Sequence, residues 1–209
     1  DSVVSIADQV ARDVAYAFAQ KEDQCGFLGD GTATYGGIVG LKNALLASSK
    51  YTAATGNTAF STLDLADFQG MVGQLPQYAE AGAKWYISKK GFNASMAALQ
   101  EAAGGNTRID IAGGSVNQFL GYPVEIVQVM NTTLTAQTST DGLVYFGDLA
   151  MSATLASRTG LSLETSNDVY FTTDQIAVKG TERFGINIHE RGAATGDSGP
   201  IVMLSTPGS

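Results

Sequence analysis

The 209-residue chain is 44% hydrophobic and 15% charged, enough apolar matter for a sizeable core and too little charge for a disordered segment. Its formal net charge is −8 and its twelve Lys and Arg are scattered, which argues against a protein that grips nucleic acid by neutralising phosphates. A single cysteine excludes an intrachain disulfide framework and cysteine-rich metal sites, and no run approaches the roughly 18 apolar residues of a membrane span.

Taken in chain order, residues 2–23 read as one helix, with Ser2 as a candidate cap and Val3, Ile6, Val10, Val14 and Ala17 at three- and four-residue spacing. At about 1.5 Å per residue this element reaches ~30 Å. Cys25 at its end reads as a small buried hydrophobe. Then comes Gly26-Phe27-Leu28-Gly29-Asp30-Gly31-Thr32, where Asp-Gly forces a tight turn. Residues 26–61 are turn-rich. A second helix is expected over residues 62–75, with Leu65, Phe68, Val72 and Leu75 on one face and Asp64 and Asp67 as helix-start and solvent-face charges.

Lys84-Trp85-Tyr86-Ile87 reads as a short buried strand and Trp85 as a core aromatic. Ser88 caps a third helix to about residue 102, with Phe92, Met96 and Leu99 facing inward and Gly104-Gly105 ending it. Lys89-Lys90 reads as a solvated helix start. Beyond residue 107 the pattern turns β, with strands expected over 108–111, 124–130, 143–149, 152–157 and 161–165. The longest strand signal covers 175–189. Ile176, Val178, Phe184, Ile186 and Ile188 fall on one face, and Gln175, Lys179, Thr181, Arg183, Asn187 and His189 on the other. At ~3.3 Å per residue it spans roughly 50 Å, comparable with a whole domain, and Gly180 and Gly185 permit bends or bulges. Ile201-Val202-Met203-Leu204 is a last strand. The fold class is α+β with extended, arm-like elements.

Candidate chemistry is thin. Gly196-Asp197-Ser198-Gly199-Pro200 is one glycine short of the nucleophile loop of chymotrypsin-like proteases. The only histidine, His189, lies nine residues before Ser198 rather than far upstream, so a serine hydrolase using Ser198 is the weak alternative from another class. One His and one Cys cannot supply a transition-metal cluster, and the Gly-rich stretch 29–40 lacks the Gly-Lys-Ser/Thr of a phosphate loop. No catalytic, cofactor or metal residues are expected.

The punctuation as a set resembles the HK97-like major capsid proteins of tailed bacteriophages and prophages. The helix, Gly26-Phe27-Leu28-Gly29-Asp30-Gly31-Thr32 and Gly37-Ile38-Val39-Gly40-Leu41 come first. Trp85-Tyr86-Ile87, Phe119-Leu120-Gly121-Tyr122-Pro123-Val124 and Tyr145-Phe146-Gly147-Asp148 follow. Arg158-Thr159-Gly160-Leu161, Asp174-Gln175-Ile176-Ala177 and Pro200-Ile201-Val202 close the series, in the family's order.

The resemblance implies a structural subunit that self-assembles into hexamers and pentamers of an icosahedral shell enclosing double-stranded DNA. A cellular nanocompartment shell of the encapsulin kind is the alternative within the fold. The implied organisation is a peripheral domain with the spine helix (1–34), an axial domain (35–142), a second peripheral part with the long β element (143–195) and a terminal strand returning to the axial domain (196–209). Val3, Ile6 and Val10 on the helix and Lys179, Glu182 and Arg183 on the long strand are the expected assembly contacts.

Implied partners are copies of itself, the portal, scaffold or protease proteins of the phage, and packaged DNA held without sequence-specific binding; no membrane and no cofactor are implied. Localisation is the virion capsid after production in the bacterial cytoplasm. Relative to the family pattern, the N-terminal arm and extended loop upstream of the helix are expected to be missing, through proteolysis or trimming. Asp174 falls where some members carry a cross-linking Asn and Thr181 where they carry the assisting Glu, so no autocatalytic cross-link is expected.

Overall fold

A computed structural model describes residues 6–102, 108–111, 114–173 and 175–207. Helix α1 (Ile6–Leu28) runs five residues further than the expected end at 23, taking in Cys25, Gly26, Phe27 and Leu28. The true corner is Gly29-Asp30-Gly31. There the Asp30 carboxylate accepts from the Thr32 N–H at 2.9 Å and the Thr32 hydroxyl at 2.6 Å, and Gly31 takes φ +80°. These bonds to the ionised form hold the Asp30 carboxyl below its ordinary range.

Helix α2 (Leu41–Ala44) and strand β1 (Lys50–Thr52) follow, then α3 (Leu65–Gln74), capped by Asp64, whose side chain accepts from the Asp67 N–H. The helix therefore starts three residues later than expected. Its inward face is Asp67, Phe68 and Met71, while Leu65 is exposed, because α3 rolls about its axis to seat Asp67 rather than Leu65. Asp67 is a buried polar anchor, not a solvent-face charge. Its carboxylate accepts from Ala54 N–H (2.8 Å), Asn57 Nδ2 (2.6 Å) and Asp64 N–H (3.2 Å).

Strand β2 (Lys84–Ile87) leads through Ser88, whose hydroxyl accepts from Gly91 N–H at 3.1 Å, into α4 (Lys89–Phe92), a π-helical segment (Asn93–Ala97) and α5 (Ala98–Ala102). Gly104 and Gly105 lie outside the described residues. Strands β3 (Arg108–Ile111), β4 (Gly114–Phe119) and β5 (Tyr122–Ile126) follow, of which β4 was not anticipated and β5 begins and ends earlier than expected. Next come β6 (Val144–Gly147) and helix α6 (Leu149–Ser152), where a strand to residue 149 was expected; the Asp148 side chain caps that helix through Ala150 N–H. The two strands expected at 152–157 and 161–165 are one, β7 (Ala153–Tyr170), paired antiparallel with β8 (Gln175–Ile188). β9 (Ile201–Ser205) ends the fold.

Seven strands form one sheet in the order β1-β9-β6-β2-β5-β4-β3, while β7 and β8 form a separate two-stranded ribbon. β6 therefore belongs to the main sheet, and the ribbon begins at Ala153 rather than at residue 143. The centre of the main sheet is covered on both faces, which explains the unbroken apolar runs of β6 and β9. Alternation along the strands divides the core. Trp85, Ile87, Val144, Phe146, Val202 and Leu204 point to the side of α3 and α4, whereas Tyr145, Ile201 and Met203 point to Phe27, Leu41 and Ile188. Trp85 stacks on Phe146 with centroids 4.1 Å apart, and its indole N–H donates to the Phe119 carbonyl at 3.0 Å.

Candidate assembly surface

The ribbon has two unlike faces. Register puts Leu155 beside Ile186, Leu163 beside Gly180 and Thr165 beside Val178 on one face. The other face carries Thr159 beside Arg183, Ser162 beside Thr181 and Glu164 beside Lys179. Helix α1 lies over the first face where β8 passes: a β-carbon at Gly180 would stand 3.0 Å from Phe18 and 3.2 Å from Val14, and one at Gly26 3.5 Å from Ile186. Phe18, not the expected Ala17, is thus the helix residue that seats here, and Ala17 is exposed. The helix leaves part of the apolar face bare, with Leu155 58%, Ile176 67% and Val178 45% exposed.

β7 has eighteen residues against fourteen in β8, and the extra residues enter at three register shifts, between Ser157 and Thr159, Thr159 and Ser162, and Ser166 and Tyr170. The bulges therefore sit in β7, not at Gly180 or Gly185 of β8. Gly180 is small because α1 crosses it. Each bulge adds twist, so the ribbon coils along its length.

The expected contact residues separate. Lys179 and Arg183 share the polar face, where the Lys179–Glu164 pair, 3.9 Å apart with both side chains 70% exposed, adds little by itself. Glu182 points the other way and meets Glu22 of α1. Burial, followed by the charge of Glu182 and a hydrogen bond to it, raises the Glu22 carboxyl above its ordinary value. Val10 is half-buried on α1. Val3 lies outside the described residues, as does Asp174, and for Ile6 only its place at the start of α1 is described.

At the root of the ribbon, between α1, β2 and α6, is a cleft of about 510 Å³ floored by Phe27, Leu149 and Ile186. Its rim carries three carboxylates, Glu22, Asp23 and Asp148, and burial raises the Asp23 carboxyl as well. Lys84 also lines it, but its ammonium is bonded to Glu125 at 2.9 Å. Sequence reasoning missed this cleft, because its walls come from α1, β2, α6 and the ribbon, which only the assembled fold brings together.

The Ser198 loop is a fastener. The Ser198 hydroxyl donates to the Gln74 carbonyl at the end of α3, Gly199 N–H donates to the Ser49 hydroxyl at 2.7 Å, and Ala193 N–H to the Ser48 hydroxyl at 2.7 Å. His189 is exposed at the end of β8, its backbone N–H donating to the Ser152 carbonyl at 3.0 Å. Cys25 is buried, which pushes its thiol pKa up and leaves it a poor nucleophile. Among the described residues no group of three His, Cys, Asp or Glu is placed to hold a metal ion, and no helix is long and apolar enough to cross a membrane.

The model of the phage capsid family matches residues 1–195. The capsid of an empty GTA particle superposes with a TM-score of 0.69 at 20% identity, covering 99% of this chain and 68% of that one. A structure from Mycobacterium phage Adephagia superposes at 0.60 with 17% identity, over 100% of this chain and 67% of that one. The holo-SrpI encapsulin complex from Synechococcus elongatus PCC 7942 gives 0.60 at 10% identity, over 96% and 65%. At these identities the superpositions establish the fold alone. No curated protein matches the sequence.

Proposed function

Because the chain belongs to the phage capsid family and is a structural subunit of a self-associating shell, we propose that it builds hexamers and pentamers that close an icosahedral capsid around double-stranded DNA. One observation carries the step from fold to assembly. A two-stranded ribbon of eighteen and fourteen residues is marginal in water by itself, and its apolar face is only partly covered by α1. Burial of Leu155, Ile176 and Val178 against neighbouring subunits supplies the missing cover. Repeating one such contact around an axis gives rings that close.

In this reading α1 and the ribbon form the peripheral part of the subunit and the seven-stranded sheet the axial part, with β9 returning to the axial sheet. Val3, Ile6 and Val10 extend the helix contact, and Lys179 and Arg183 pair across subunits on the polar face. The net charge of −8 fits an inner wall that does not trap the packaged DNA. Portal, scaffold and protease proteins of the phage are the expected assembly partners, and the bacterial cytoplasm the place of synthesis. Thr181, its hydroxyl 2.8 Å from that of Ser162, offers no carboxylate to assist an isopeptide bond, so the shell is held without one.

The encapsulin likeness favours a second reading, a shell around cargo proteins, but the family match over residues 1–195 weighs toward the phage. Electron microscopy of the expressed protein tests the proposal. Closed shells are expected, and particles from producing cells should carry nuclease-protected DNA. Shells filled with protein and devoid of DNA would transfer the reading to a nanocompartment, and absence of any shell would overturn both.

A further inference from the structure

We propose that the cleft at the ribbon root receives the surface patch formed by Lys89, Lys90 and Leu134 of a second copy of this chain; the inference rests on the capsid reading and names one contact within it.

The cleft asks for an occupant that is apolar in the middle and cationic at the edge. Its floor is Phe27, Leu149 and Ile186, and Leu155, 58% exposed, stands at its lip. Three carboxylates ring the opening, and the one lysine among the lining residues is already bonded to Glu125. Glu182 adds a fourth carboxylate behind Glu22, on the same side of the ribbon. Gathering these charges around a half-desolvated apolar floor raises the cost of the empty cleft, which a bound cation lowers.

The chain carries a surface of the matching kind. Lys89 and Lys90 are its only adjacent pair of basic residues. Both are exposed at the start of α4, and among the described residues no carboxylate lies within ion-pair distance of either. Leu134, 48% exposed, shares a shallow depression with them. A leucine beside two lysines presents the apolar and cationic groups that the cleft lacks.

Geometry makes the contact head-to-tail. β2 contributes Lys84 and Tyr86 to the cleft on the side of Phe27, whereas α4 packs through Phe92 on the side of Trp85 and Ile87, so cleft and patch belong to opposite faces of the main sheet. Two different surfaces of the same chain that fit each other form a heterologous contact, which repeats around a ring instead of stopping at a dimer.

The test is a cross-link between two differently marked chains expressed from the whole gene. Cys25→Ala in both leaves the introduced thiols alone. One chain carries Leu134→Cys and the other Leu155→Cys; the two are assembled together and oxidised under mild conditions, and particles are imaged in parallel. A disulfide-linked dimer in the mixture, absent from either chain alone, is expected. Lys89→Glu with Lys90→Glu in the Leu134→Cys chain should abolish it, and Glu22→Lys with Asp23→Lys in the partner should restore it. Apart from Cys25, where Ala is a small apolar replacement, these are exposed or half-exposed positions, so the fold survives the changes. Shells without the cross-link overturn the contact and leave the capsid reading standing, and a cross-link indifferent to the charge changes overturns it too. Monomers with neither shell nor cross-link overturn both.

Discussion

Gly29 and Gly40 lie backbone against backbone, the Gly40 N–H donating to the Gly29 carbonyl at 2.9 Å. A β-carbon on Gly29 would sit 2.5 Å from the carbonyl oxygens of Cys25 and Ile38, and one on Gly40 2.7 Å from Cys25 O and 2.8 Å from Gly26 O. The obstacles are main chain, of the last turn of α1 and of Ile38, so no rotamer change relieves them. The pair is the point at which the long helix is fastened to the body. Gly29→Ala and Gly40→Ala should each destabilise by about 1–3 kcal/mol, the range for overpacking a tight site. Gly73→Ala, in α3 with nothing within 4 Å, should instead stabilise by ~0.4–1 kcal/mol. Urea unfolding of the three variants beside the parent checks both signs, and equal behaviour of all three would remove the close approach as the cause.

Asp67 fixes the 54–57 turn to α3 through the hydrogen bonds it accepts from Ala54 and Asn57, and a third, from Asp64 N–H, ties it to the start of its own helix. Removing the carboxylate in Asp67→Ala leaves buried donors unpaired, at ~1–3 kcal/mol for each group that cannot reach water. A loss of several kcal/mol is therefore expected, with Asp67→Asn in between because its carbonyl still accepts. Thermal unfolding followed by circular dichroism gives the ranking parent, Asn, Ala. Indifference to both changes would mean that water replaces the carboxylate.

Such anchors mark where the sequence was readable and where it was not. Strand β2 and the alternation of β8 were legible because period 2 is uninterrupted there, and Trp85 was readable as core from its size and neighbours. β7 was not, because three bulges shift its parity and make one strand resemble two. Asp67 was misplaced because an acidic residue in a helix's first turn suits the macrodipole equally well exposed. Whether it turns inward depends on donors from residues 54 and 57, contacts that local pattern does not encode. Alternation along β8 turns the even-numbered Glu182 toward α1 and its odd-numbered companions Lys179 and Arg183 to the polar face. The acidic cleft joins α1, β2, α6 and the ribbon, four elements remote in sequence, and only the assembled fold brings them together.

Gly180 tests the seating of α1 on the ribbon. With Phe18 and Val14 at 3.0 and 3.2 Å from a β-carbon there, Ala requires the helix to give by tenths of an ångström, whereas the branched side chain of Val forces it off. Gly180→Val should therefore raise amide hydrogen exchange along α1 while leaving β2, β6 and β9 protected, and assembled shells should become fewer. Gly185→Val, whose β-carbon meets nothing within 4 Å, is the control and should behave as the parent. Uniform loss of protection across both sheets would show that the ribbon, not the helix seat, had failed.

Glu22 and Glu182 give the same junction a dependence on pH. Burial and the facing Glu182 raise the Glu22 carboxyl above its ordinary value of 4.5, so the folded protein holds that proton more tightly than the unfolded chain does. The contribution to stability is fully present below the unfolded value and is lost as pH rises through the higher folded one. Asp141 runs the other way: burial pulls its carboxyl up, but its bonds to Thr138 and Lys42 together outweigh that and hold it below its ordinary value of 3.8, so its contribution is lost in acid. Whole-protein stability mixes the two, so the comparison that isolates the pair is Glu22→Gln against the parent. At pH 7 the variant should be the more stable, since a neutral amide ends the repulsion and still donates to Glu182. As pH falls through the raised folded value toward 4.5 the parent takes up its proton and the difference should close. Melting temperatures of both proteins across that interval provide the measurement, and a gap that stays constant from pH 7 to pH 4 would place the source of any difference elsewhere than in this pair.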